Sequence, residues 1–188
     1  MATRTSCRSS PKRTSCPRLW TTSGPACNPS SPRSDMPRTV AIANEHAKAK
    51  VAAASAIAVL QALDRLRAWH CPKGELSVVF LGDKAIAKIH ADFLDDPTVT
   101  DVITFIGEDH PVEPFAGEIC INVDQAKRAA KEHGTSLEHE LRLYLAHGWL
   151  HLAGLLDGTK AQAAEMRAAE VVALAHLDKG KVRLKVTV

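Results

Sequence analysis

The sequence predicts an α+β fold, a single domain in which a mixed sheet of roughly four strands packs with about five helices. Three observations predict it. Short β-branched runs alternate with longer stretches whose apolar residues recur every three or four positions, the marks of strands and amphipathic helices. A chain of 188 residues, 45% hydrophobic and 24% charged, has the composition of one ordinary globular domain. No internal repeat divides it. The interleaving gives the type of each element but not the order of strands in the sheet.

Residues 1–36 are rich in Ser, Thr, Arg and Pro and hold half of the ten prolines. Such a segment buries too little apolar surface to offset its ordering entropy, so it is expected to be a disordered or non-native N-terminal extension. Its Arg- and Ser-rich, nearly acid-free character is also that of an organelle transit peptide, although the prolines break any amphipathic period. Met36 is the natural start of the folded part, and the domain is expected over 37–188.

Within it, "RTVAIAN" (38–44) predicts a strand and the Ala/Leu-rich stretch 46–69 a long helix. "ELSVVFLG" (75–82) is β-branched and predicts a strand. Asp83 is placed to cap a helix over 83–96 that Pro97 ends. "TDVITFIG" (100–107) and "GEICINV" (117–123) predict two more strands. Asp124 is placed to cap a helix closed by Gly134. Thr135 or Ser136 then caps a helix running to Gly154, and residues 159–180 form the last one. The alternating "KVRLKVTV" (181–188) either pairs as an edge strand or hangs free.

Composition excludes several classes. With a net charge of +3 overall and six basic residues against Asp35 alone in 1–36, the remainder carries a net −2. Bulk charge therefore gives the folded part no attraction to nucleic acid, and any such contact needs a local basic patch. Aromatics at 4% are too sparse for a surface that binds single strands mainly by base stacking. Five cysteines, an odd number without CxxC, argue against a disulfide framework or zinc knuckle. No apolar run reaches the ~18 residues of a membrane span, and no apolar segment follows the N-terminal charges as in a secretory signal.

The chemistry concentrates in "YLAHGWLHLAGLLDG" (144–158). His147 and His151 are four apart, so on a helix they share one face and can reach one ion. Spacing alone is weak, because two histidines on a half-buried helix produce it too. Gly154, three residues on, permits the left-handed turn that ends a helix and brings Asp157 back to the histidine face. Two imidazoles and a carboxylate make a sensible divalent-metal set, placed at the end of a helix, with a position open for water. Residue 148 is glycine, where the HExxH zinc peptidases carry their glutamate base, which argues against that chemistry.

Several motifs together resemble one family. "HGWLHLAG" resembles the HGxLHLxG signature of the YbeY endoribonucleases, "DPTVTDVITF" (96–105) their PTDVLSF strand, and "GEICIN" (117–122) their GDI strand. "EM" (165–166) follows in the next helix, as it does there, and order and spacing agree over roughly 76–178. The resemblance implies a single α+β domain holding one divalent metal, zinc in many members. It implies maturation of ribosomal RNA at the 3′ end of the small-subunit rRNA, and ribosome quality control. The implied partners are RNA and ribosomal particles, with neither DNA nor membrane, in the cytoplasm. Oligomeric state is not implied.

The sequence also departs from the family. Its motif continues to a third histidine, where Asp157 stands here. Read without a gap, the metal ligands are His147, His151 and Asp157; a shifted reading leaves Gly158 at the ligand position. The family arginine proposed to act on phosphate falls at Leu94, which cannot make a bidentate phosphate contact. Ile106 replaces the proline that ends the family strand. Asp101 is either a supporting functional group or a local strand-end carboxylate. His90, His110, His133, His139 and His176, outside every motif, are expected at the surface or in loops. Three functions stay open: a metal-dependent endoribonuclease, a ribosome-associated binding module with a structural metal, and another zinc-dependent hydrolase such as a metallopeptidase.

Overall fold

The computed structural model of the chain describes residues 38–107 and 114–188, so the extension 1–36 and His110 lie outside the described residues. In chain order the elements are β1 (Val40–Asn44), β2 (Lys50–Val51), α1 (Ala53–Leu63), β3 (Glu75–Leu81), α2 (Asp83–Leu94), β4 (Val102–Ile106), β5 (Phe115–Asn122), α3 (Val123–His133), α4 (Leu137–Leu152), α5 (Lys160–Lys179) and β6 (Val186–Thr187). Four strands form a mixed sheet in the order β1-β3-β5-β4. β1, β3 and β5 run parallel, and β4 pairs antiparallel with β5 from Val102↔Ile121 to Ile106↔Gly117. This is the expected α+β architecture.

The pleat sends alternate side chains to opposite faces and so builds two apolar layers. Leu76, Val78 and Phe80 of β3, with Ile119 and Ile121 of β5, join the main core beneath α1, α4 and α5. Val79, Leu81, Ile103 and Cys120 point the other way, to a smaller layer closed by Ile86 of α2. α4 lies against the two strands β4 and β5 and against α1, α3 and α5. It is buried nearly all round, from Glu140 to Leu152 except Leu143. A helix so enclosed can carry polar side chains only if each finds a partner.

The first helix is shorter than the periodicity predicts. Residues 45–49 form a turn whose backbone is held by side chains: His46 Nδ1 accepts from the amides of Lys48 (3.2 Å) and Ala49 (2.8 Å). The Asn44 side chain donates to the Val51 carbonyl (3.0 Å) and accepts from its amide (2.8 Å). β2 then pairs antiparallel with β6, which settles the C-terminal segment as an edge strand rather than a free tail. Two caps also differ from expectation. The Asn122 side chain accepts from Asp124 and Gln125, so asparagine caps α3, and Asp83 is the first residue of α2 rather than its cap. Ser136 caps α4, accepting from the His139 amide at 3.1 Å.

Candidate metal centre

Both histidines sit on the last two turns of α4, with His147 2% and His151 4% exposed. Gly148 between them lies against β5. A Cβ there would come 2.6 Å from Ile119 Cγ2, so the helix approaches the sheet more closely than any other residue permits. That contact is the physical reason a glutamate base cannot occupy the position.

The helix ends in a Schellman motif. Gly154 has φ +98°, the Leu155 amide donates to the Leu150 carbonyl (3.0 Å), and the Gly154 amide donates to the His151 carbonyl (3.0 Å). The turn has two consequences. It puts the Leu155 carbonyl 2.9 Å from His151 Nδ1. It also reverses the chain, so that Asp157 Oδ2 lies 3.8 Å from Nε2 of both His147 and His151. Among the described residues this is the one group of three or more His, Cys, Asp or Glu with ligand atoms within 4.8 Å of one another.

The hydrogen-bond partners fix the tautomers. His147 Nδ1 lies 2.7 Å from Glu170 Oε1, and His151 Nδ1 faces a carbonyl; an ionised carboxylate and a carbonyl only accept, so each Nδ1 carries the proton. Each Nε2 then presents a bare lone pair. The two Nε2 atoms are nevertheless 2.9 Å apart, with the rings edge to face at 4.4 Å between centroids. Asp157 Oδ1 is buried with no hydrogen-bond partner. Two imidazole nitrogens and a carboxylate therefore converge on one point, where a cation would be shared by all three.

Two nitrogens and a carboxylate oxygen are ordinary zinc ligands. Bond lengths of ~2.0–2.2 Å in a tetrahedron place ligand atoms roughly 3.3–3.5 Å apart. The observed 2.9 and 3.8 Å bracket that spacing, so the residues fit a divalent ion within a few tenths of an ångström. Burial, and then the neighbouring His147, lower the His151 pKa, which favours the neutral imidazole that a metal ligand requires.

The other predicted residues lie elsewhere. Asp101 is 3% exposed at the start of β4. Its Oδ1 accepts from Thr100 Oγ1 (3.2 Å) and the Val102 amide (3.0 Å), and its carbonyl accepts from the Asn122 amide. That is the opposite end of β4 from Ile106, whose partner Gly117 meets Leu152 of α4. Leu94 ends α2 and packs on the smaller apolar layer. His90, expected at the surface, is 1% exposed, with Nδ1 bonded to the Thr98 carbonyl at 2.8 Å. His133 is exposed; His139 and His176 are half-buried, and His176 Nε2 reaches the Ala62 carbonyl at 3.0 Å.

Glu170 was not legible as a site residue. Its signal is a carboxylate within the buried stripe Met166, Ala169, Ala173, Leu177 of α5. The cavity of about 290 Å3 lined by Glu138, His139, Arg142, Asp178 and Arg183 is at the other end of α4 and contains none of the three converging side chains.

The chain is similar to known proteins of one family. Residues 41–178 match the family model described as Endoribonuclease YbeY. A protein of that name from Flavobacterium johnsoniae is 35% identical over 109 residues, spanning 56% of this chain and 76% of the relative. One from Porphyromonas gingivalis is 38% identical over 104 residues, 55% of this chain and 68% of the relative. The solution structure of a Thermotoga maritima protein superposes with a TM-score of 0.51 at 20% identity, covering 76% of this chain and 93% of the other. At that identity the superposition speaks for the fold.

Proposed function

The chain belongs to the YbeY family of endoribonucleases, and from that premise we propose that residues 37–188 form a metal-dependent enzyme cutting single-stranded RNA. One divalent ion, zinc by its ligand chemistry, is held by His147, His151 and Asp157. The observation that carries this reading is the convergence of two bare Nε2 atoms and a buried carboxylate on one point. The substrate proposed is ribosomal RNA, at the 3′ end of the small-subunit rRNA, with ribosomal particles as partners, ribosome quality control as the wider role and the cytoplasm as the setting.

A bound divalent ion supplies polarisation of a phosphoryl oxygen or a lowered pKa for water. The chain's own residues do the rest. His147 and His151 present Nε2 with the proton held at Nδ1. The Schellman turn orients His151 through the Leu155 carbonyl and delivers Asp157. Both imidazoles are nearly enclosed, which keeps water scarce there and strengthens every charge interaction they make.

A second reading, a ribosome-associated binding module with a structural metal, is favoured by one observation. Phosphoryl chemistry needs a basic side chain to stabilise the added charge. The family's arginine position is Leu94, committed to apolar packing. The peptidase alternative is disfavoured by Gly148, which the contact with Ile119 bars from being a glutamate.

Cleavage of single-stranded rRNA precursors by the zinc-loaded protein, beside His147→Ala and His151→Ala with folding checked by circular dichroism, tests the proposal. Loss of cleavage in both variants is expected. Metal retention and ribosome co-sedimentation without cleavage by the wild type would establish the binding module instead.

A further inference from the structure

We propose that Glu170 is a positioning residue for the metal centre, holding His147 in the tautomer that presents Nε2 and supplying a second buried negative charge to balance a dication. The inference rests on the reading of His147, His151 and Asp157 as ligands.

The geometry is specific. Glu170 is 6% exposed and is the one ionisable side chain among the buried residues of α5. A carboxylate in that stripe costs several kcal/mol of desolvation unless it is paired, on the order of the figures for buried ions. Its pairing is a short contact, 2.7 Å from Oε1 to His147 Nδ1, between two residues 23 apart in sequence and both nearly enclosed. Without it, nothing on α4 would decide which nitrogen of His147 carries the proton. His151 has the Leu155 carbonyl for that task; His147, a turn further from the helix end, takes its acceptor from another helix. A carboxylate on the far nitrogen of a ligating imidazole fixes the ring and raises its basicity, and loss of such a partner lowers metal affinity by ~10–100-fold.

Charge gives a second reason. Asp157 and Glu170 together carry −2, and the two imidazoles are neutral when they act as ligands. A divalent ion then makes the buried set neutral, which low-dielectric surroundings favour. A histidine in place of Asp157 would leave it at +1.

The experiment uses the full chain and two readouts. Zinc titration compares wild type, Glu170→Gln and Glu170→Ala. Two-dimensional 15N–1H spectra of the metal-free proteins report the His147 tautomer. We expect wild-type His147 protonated at Nδ1, a ~10–100-fold loss of zinc affinity in Glu170→Ala, and a smaller loss in Glu170→Gln, which keeps an acceptor and loses the charge. The tautomer should survive in Glu170→Gln and be lost in Glu170→Ala. Should the alanine variant not fold, the near-isosteric glutamine variant carries the test, because removal of the charge alone must weaken zinc binding. Zinc affinity within about twofold of wild type in both variants, or in Glu170→Gln alone should only that one fold, would overturn the proposal. Failure of the wild type to bind zinc at all would instead overturn the metal-site reading, and the tautomer spectra would still report on Glu170.

Discussion

Replacing Gly148 by alanine tests how the histidine helix is seated. The added Cβ would lie 2.6 Å from Ile119 Cγ2, 3.1 Å from Cδ1 and 3.2 Å from Cγ1. Ordinary carbon contacts are ~3.5–4.0 Å, so the helix or the strand must retreat by roughly 1 Å. Ile119 cannot swing aside. Cγ2 is attached to its branch carbon, the residue is fully buried, and β5 is flanked by β3 and β4. Overpacking of this kind costs ~1–3 kcal/mol, while the gain in helix propensity from glycine to alanine offsets ~1 kcal/mol. The net expectation is a loss of about 0–2 kcal/mol, read by urea unfolding of the metal-free protein. Background variants sharpen the sign. Ile119→Ala removes all three contacting atoms, so there Gly148→Ala should stabilise by ~1 kcal/mol. Ile119→Val removes Cδ1 but keeps Cγ2, and should relieve little. Stabilisation of the otherwise wild-type protein by Gly148→Ala would refute the close seating of α4 on β5.

Other outcomes follow from the same structure. Gly154→Ala meets no atom within 4 Å but must hold φ +98°, so it should cost ~1–2 kcal/mol and weaken zinc binding by displacing Asp157, both measurable on one sample. Asp178 bonds Arg142 Nη2 at 2.6 Å, and the Arg142 hydrogen bond pulls its pKa below the usual 3.8. Because the folded-state value is the lower one, that stabilisation is present above pH 3.8 and is lost as pH falls through the folded-state value. Asp178→Asn should therefore be less stable than wild type at neutral pH, and the difference should vanish in acid; an equal difference at both would remove the linkage. In iodoacetamide labelling at pH 8, Cys71 should react far more slowly than a free thiol, because burial pushes its pKa up to about 11.

What the sequence shows of this protein depends on whether the deciding forces are local. The central strands are legible because β-branched runs such as "ELSVVF" are buried on both faces. The end of α4 is legible because a Schellman turn needs glycine at one position, and that turn places Asp157. The start of α1 is hidden, since alanines at 47–54 are compatible with helix and only the side chains of Asn44 and His46 select a turn there. His90 and Glu170 are hidden for a related reason. A polar residue on a helix reads as solvent-facing until a partner from another segment, here the Thr98 carbonyl or His147, shows that it is buried.

The chemistry proposed for this protein requires that His147, His151 and Asp157 hold one ion. Zinc titration of the metal-free 188-residue chain beside Asp157→Ala is the direct measurement. One zinc per wild-type chain is expected, and for Asp157→Ala, with one of three ligands gone, an affinity loss larger than the ~10–100-fold that removing a mere supporting partner costs, with unchanged circular dichroism. Equal stoichiometry and affinity in the two proteins, or no zinc bound by the wild type, would contradict it.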